Sequence, residues 1–231
     1  MNLSQLRAMA RAEADEQSTG FIGDAELDTF INRGFRYVYS KLITQFQDYF
    51  IVKGTVGNGG LITVVSGTNE YSLPTTHQKL VRVERRDSND TNENNWRILE
   101  RNNIGNDQMN DYYPVREGRD LGFGYFIAGN KIFLRPVPSS GFHLRLWFIP
   151  RLTELTATTD EPSIPVEYHE LIASYASIMC LKKSGESIWR ENMEHFQIDL
   201  ENLISSSLHR VHSPEQMIVT DDSDYYTGGS Y

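Results

Sequence analysis

The hydrophobic period of this chain switches from helical to alternating and back again, which confines it to folds that hold helices and a separate run of strands. Residues 3–14 place Leu3, Leu6, Met9 and Ala10 at helical spacing, with Asn2 or Ser4 available as the cap. Ser18, Thr19, Gly20 and Gly23 then break the pattern. A second helix is predicted from a cap at Asp24 to about Gln47, with Glu26 and Asp28 at the positive end of its dipole. Its stripe is Leu27, Phe30, Ile31, Gly34, Val38, Leu42 and Phe46.

From residue 50 to residue 149 the period falls to two, and strands are expected at 50–56, 61–65, 70–73, 80–86, 96–99, 123–128, 131–135 and 143–149. Gly129 and Asn130 both tolerate the positive φ of a two-residue hairpin turn, so the flanking strands should pair. The last strand puts Leu144, Leu146 and Phe148 on one face and His143, Arg145 and Trp147 on the other, a face that should be wet or covered by another element. Residues 101–121 are rich in Asn, Asp, Gly and Tyr and have no period; a loop of this length reads as a projecting contact surface.

Past Pro150 the helical period returns. Pro165 suits a first helical position, Tyr168, Leu171, Ile172, Tyr175, Ile178, Met179 and Leu181 form the apolar face, and Lys182, Lys183 and Gly185 close the helix. A final helix over 186–211 carries Trp189, Met193, Phe196, Leu200, Leu203, Ile204 and Leu208, making an αα-hairpin with its predecessor. Residues 212–231 hold four acids and no Lys or Arg, and they cannot bury a core of their own. Tyr225, Tyr226 and Tyr231 on such a strand are suited to anchoring on a partner.

Charge and cysteine content narrow the function. With 22 Lys and Arg against 31 Asp and Glu, the 231-residue chain has a net charge of −9, the wrong sign for binding DNA through counterion release. The lone Cys180 precludes an internal disulfide and a cysteine-rich zinc site and fits a reducing compartment. No apolar run approaches the length of a membrane span, and no signal peptide is expected.

Catalytic motifs fail one by one. His169-Glu170 begins like a zinc-protease helix, but Ala173 stands where the second histidine belongs. Gly57-Asn58-Gly59-Gly60 lacks the lysine and the helix of a phosphate loop, and Gly185-Glu186-Ser187-Ile188-Trp189 breaks the nucleophile-elbow pattern at its last position. Asp221-Asp222-Ser223-Asp224 has no glycine turn and no closing glutamate, which leaves at most a weak cation site. Arg82, Arg85 and Arg86, with Arg97 and Arg101, could hold an acidic partner, but Glu84, Asp87, Asp90 and Glu93 among them favour a mixed-charge face. No cofactor is expected. Two alternatives stay open: a hydrolase without a standard motif, using His169, His195 and nearby carboxylates or Cys180, and a glycan-binding module using Trp96 and Trp147.

Several stretches resemble the head-to-tail adaptor, or head-completion, proteins of tailed bacteriophages. They are Glu70-Tyr71-Ser72-Leu73-Pro74 followed by Lys79-Leu80-Val81-Arg82-Val83, the run from Phe126 through Gly129-Asn130 to Pro138, the strand from Leu144 to Pro150, and Ile164-Pro165 through His169-Glu170-Leu171-Ile172 to Ala176. Asp28, Ile31, Asn32, Tyr37 and Leu42 also look like the family's opening helix, so the likeness covers roughly residues 3 to 205.

This resemblance implies a virion protein assembled in the host cytoplasm as a ring, commonly of twelve copies. Its partners would be the portal protein, a tail or nozzle protein and itself, and genomic DNA would pass without tight binding. Pattern and resemblance together predict an α+β fold: a helical bundle from 1–49 plus 151–211, an inserted antiparallel β domain at 50–150 with its loop at 101–121, and an extended arm at 212–231. Tyr225, Tyr226, Tyr231, Asp221, Asp222 and Asp224 are the expected portal-binding residues of the arm, and Asn110, Tyr112, Tyr113 and Arg116 the expected tail-side contacts of the loop.

Overall fold

The computed structural model describes residues 1–15, 21–102 and 124–211, and these form a mixed α+β fold. The chain divides into two compact units, Met1–Leu42 with Glu154–Tyr231, and Ile43–Thr153.

The first unit is helical: α1 (Leu3–Glu13), α2 (Asp24–Gln45, its last turn passing into the second unit), α3 (His169–Ser184) and α4 (Trp189–Val211). Asn2, rather than Ser4, caps α1: its side chain accepts from the Gln5 N–H while the Gln5 side chain accepts from the Asn2 N–H. Asp24 stands one residue inside α2, where the Gly23 carbonyl accepts the first helical bonds from Glu26 and Leu27. Its carboxylate is taken by Arg11 at 2.9 Å, and Asp28 receives Nε and Nη2 of Arg7 at 2.5 and 2.6 Å. The middle and last turn of α1 are thereby clamped to the start of α2, and Asp28 raises the pKa of Arg7 above its ordinary value.

The buried stripe of α2 is wider than the periodicity predicts, because Asn32, Phe35 and Tyr39 are buried with Leu27, Ile31, Gly34, Val38 and Leu42. Asn32 binds the backbone of Leu155 on both sides, Nδ2 to the carbonyl at 2.9 Å and Oδ1 from the N–H at 2.8 Å, so a buried polar side chain fixes the irregular segment that leads to α3. Gly34 lets α3 approach α2, since a Cβ there would lie 3.0 Å from Tyr175 Cβ. Pro165 precedes a single 3₁₀ turn, Val166–Tyr168, and α3 proper starts at His169. Gly185 closes it in the left-handed conformation at φ 83°.

The second unit is one sheet of eight strands: β1 (Val52–Lys53), β2 (Leu61–Val64), β3 (Glu70–Ser72), β4 (His77–Asp87), β5 (Arg97–Arg101), β6 (Gly124–Ala128), β7 (Lys131–Arg135) and β8 (Phe142–Pro150). The order is β1-β8-β4-β5-β6-β7-β3, with β2 also on β8. The expected first strand at 50–56 shrinks to Val52–Lys53, because Phe50 closes a 3₁₀ turn and Gly54 is pressed against Gly60.

The sheet is mixed rather than purely antiparallel. Strands β5 and β6 run parallel, pairing Glu100 with Gly124 and Arg101 with Tyr125. β6 therefore continues in the direction of β5 from a point beside its end, and the Asn102 N–H donates to the Tyr125 carbonyl at 2.7 Å. The expected projecting loop leaves and re-enters the sheet at adjacent positions, and 103–123 lie outside the described residues.

Sheet curl brings its two ends together. Consecutive strands β2 and β3 lie at opposite ends of the strand order, yet the Tyr71 hydroxyl of β3 accepts the Val65 N–H at 2.8 Å, just past β2. The loops 65–69 and 136–141 are joined by Gly67 N–H to the Pro138 carbonyl at 2.8 Å. Val64, Leu73, Val83, Leu99, Ile132, Leu134, Leu144, Leu146 and Phe148 fill the enclosed side.

Candidate interaction site

The face of β8 opposite that core carries His143, Arg145 and Trp147, as alternation predicts, and Arg82, Glu84 and Arg86 of β4 stand across from Trp147, Arg145 and His143 respectively. A further element covers this face: the segment 88–96, which brings Glu93 and Trp96 over Arg145. Arg145 is only 6% exposed and Glu84 5%, so a charged pair sits at core-like burial on the nominally polar face.

Guanidinium groups and indole rings alternate there. Arg82 lies 4.7 Å from the Trp147 ring centre, Arg145 5.7 Å from Trp147 and 4.0 Å from Trp96, and Arg86 4.5 Å from Trp96. Carboxylates bind the rungs edge-on: Glu84 takes Arg145 and Arg82, each at 2.7 Å, and Glu93 takes Arg145 at 2.8 Å, Arg86 at 3.0 Å and Lys53 at 3.1 Å. The Lys53 bond foremost, with Arg145 contributing, holds the Glu93 carboxyl down to about 2. Trp96 Nε1 is near enough to favour the ionised carboxylate but meets no acceptor at hydrogen-bonding geometry; Trp147 Nε1 is likewise buried without an acceptor, as are the Nε atoms of Arg82 and Arg86, whose guanidinium groups lie over rings.

The ladder bears on both alternatives. A glycan reader needs Trp147 on an open face beside other rings, whereas its ring and that of Trp96 are occupied by guanidinium groups. A histidine-based hydrolase needs His169 and His195 in one cleft. His169 is buried, with Nε2 3.0 Å from the Ile164 carbonyl and Nδ1 2.8 Å from the Met1 amino group, and burial depresses its pKa. His195 is exposed on α4, beside a groove of about 290 Å³ that includes Glu13, Ser174, Ser177 and Asp199 but not His169. In that groove the Ser177 hydroxyl lies 3.0 Å from Glu13 Oε2, and Cys180 is buried in α3. Among the described residues no group of three His, Cys, Asp or Glu side chains could hold a metal ion, and no helix is long and apolar enough to cross a membrane.

The arm residues Asp221, Asp222, Asp224, Tyr225, Tyr226 and Tyr231 and the loop residues Asn110, Tyr112, Tyr113 and Arg116 lie outside the described residues. Of the arginine cluster, Arg85, Arg86 and Arg97 line one cavity of about 240 Å³ together with Asp87, Asp90 and Trp96, a mixed-charge setting. What the sequence missed is the centre of the ladder, Arg145. Its signal was present: a charge between two core residues on a strand whose same-face neighbour is Trp147.

These features define a mixed α+β protein whose ordered polar groups brace surfaces and loops. The chain belongs to the SU10 adaptor protein family, a phage head-tail adaptor family, which it matches over residues 1–212. Membership makes it a structural component of the virion that works with other head and tail components. No curated protein matches the chain.

Proposed function

We propose that this protein forms a ring, of about twelve copies by family likeness, beneath the portal, completing the head after DNA packaging, presenting the platform for the tail and leaving a bore for the genome. Its helical unit is the ring-forming bundle and its β unit the insert that meets the tail or nozzle protein. It performs no catalysis and is assembled in the host cytoplasm. Family membership across residues 1–212 is the observation that carries this reading.

Charge supports the conduit. A ring of chains each at −9 offers DNA no counterions to release, so the genome slides past without adhering. The acidic arm lies past the family match, and its three aromatic rings support a docking role in which Tyr225, Tyr226 and Tyr231 seat on the portal. Asn110, Tyr112, Tyr113 and Arg116 serve the tail side. Deleting residues 212–231 is expected to leave a folded chain that no longer attaches to portal-containing heads; unchanged attachment would show the arm to be inert.

A further inference from the structure

Charges of opposite sign are segregated along stretches of two helices of the first unit. Between residues 29 and 42, α2 holds Arg33, Arg36 and Lys41 and no acid; between 191 and 207, α4 holds Glu191, Glu194, Asp199 and Glu201 and no Lys or Arg. Among the described residues, Arg33 and Lys41 meet no carboxylate, Glu194 and Glu201 meet no cation, and all four are exposed.

Within one chain the basic stripe borders the packed side of α4, and the acidic stripe lies on the far side of that helix. Tyr37 of α2, between Arg33 and Lys41, stacks on Tyr175 and touches Phe196 of α4 at 5.8 Å between ring centres. Phe196 belongs to the buried face of α4, and Ile198, two residues on, lies about 200° around the helix from it. Glu194 and Glu201 share the Ile198 side, and Ile198 is 54% exposed. The acidic stripe therefore turns an apolar centre with a charged rim away from α2, the composition of an interface.

Spacing matches as well as sign. Arg33 and Lys41 are eight residues apart, about 12 Å along α2, and Glu194 and Glu201 seven apart, about 10 Å along α4. We infer that α2 of one copy docks on α4 of the next, Arg33 and Lys41 facing Glu194 and Glu201 around Ile198. Such a contact is heterologous, leaves each copy with one free face of each sign, and lets chains of net charge −9 associate despite their overall repulsion. It rests on the ring reading and names the surfaces that ring would use.

A carbodiimide, which joins an ammonium to a carboxylate only at contact, tests this on a mixture of isotope-labelled and unlabelled full-length chains at low salt, and on tailed particles containing the protein. The expected result is a link from Lys41 to Glu194 or Glu201 that bridges separate copies. The pairs R33E/K41E and E194K/E201K should each weaken association by more than about tenfold, and mixing the two variants should restore it, since each supplies the face the other lacks. Copies linked to one another only through other surfaces, with both variants associating as the native chain does, would overturn this interface and leave the ring intact. Copies never linked to one another in either preparation would overturn the ring as well.

Discussion

Arg145 of β8 and Glu84 of β4 are register partners across the sheet, and Nε and Nη2 of the guanidinium both lie 2.7 Å from the same oxygen of Glu84. The other oxygen is held by Arg82 at 2.7 Å. A pair this buried contributes little net stability when intact, because desolvation offsets attraction, but it is costly to break. Its consequence is positional: it fixes Arg145 as the central stem to which Glu93 and Trp96 attach, with Arg86 and Lys53 holding the same segment 88–96 at its sides.

Replacing Arg145 by Met should destabilise the protein by about 3–5 kcal/mol, since Glu84 keeps its burial and loses its main counter-charge. The double variant R145M/E84L should recover most of that loss. Urea denaturation of both variants checks this, and a single-variant cost below about 1 kcal/mol would mean that the pair is not desolvated as described.

Gly54 and Gly60 lie back to back. A Cβ on Gly54 would fall 2.2 Å from the Gly60 carbonyl oxygen and 2.5 Å from that of Leu146, both backbone atoms with no rotamer to yield. G54A should therefore cost about 1–3 kcal/mol or more, whereas G57A, whose nearest non-neighbour atom would be 3.9 Å away, should be near neutral. Comparison of the two thermal midpoints decides it.

The sign of the Glu93 effect follows from its depressed pKa. At neutral pH Glu93 is ionised in both the folded and unfolded states, and its interactions favour the fold; that contribution fades as pH falls from about 4.5 towards about 2. Opening of the ladder, followed by the indole fluorescence of Trp96 and Trp147 in a W189F background, should track this acid window. The E93Q variant should shift the opening upward in pH or remove it from the titration, and an unchanged curve would contradict the assignment.

Tyr71 joins the two ends of the sheet through its hydroxyl, which accepts from the Val65 N–H. Y71F keeps the ring and removes that acceptor, an expected loss of about 1 kcal/mol. Amide exchange at Val65 and Gly67 should accelerate selectively; protection unchanged at both would show that the curl is held by packing alone.

Regular segments were legible because each obeys one local rule. Asn2 with Gln5 gives a capping box, Gly185 a left-handed stop, and Leu144, Leu146 and Phe148 a single buried face. Long-range choices were not. Nothing in the spacing of residues 96–101 and 124–128 distinguishes a parallel from an antiparallel pair, because alternation is the same in both; the registers of Glu100 and Arg101 with Gly124 and Tyr125 decide it. The ladder is similar: Arg82, Arg86 and Glu93 read as a solvated mixed-charge strand until a loop folds over them and buries Arg145. Among the expected site residues, those of the arm and loop rest on composition alone.

Electron cryo-microscopy of tailed particles containing this protein tests the central claim most directly. The account predicts a closed ring of identical copies between portal and tail, their helical units side by side around a bore wide enough for duplex DNA. Particles in which the protein is absent from that junction, or present there without an axis of repetition and an open bore, would contradict it.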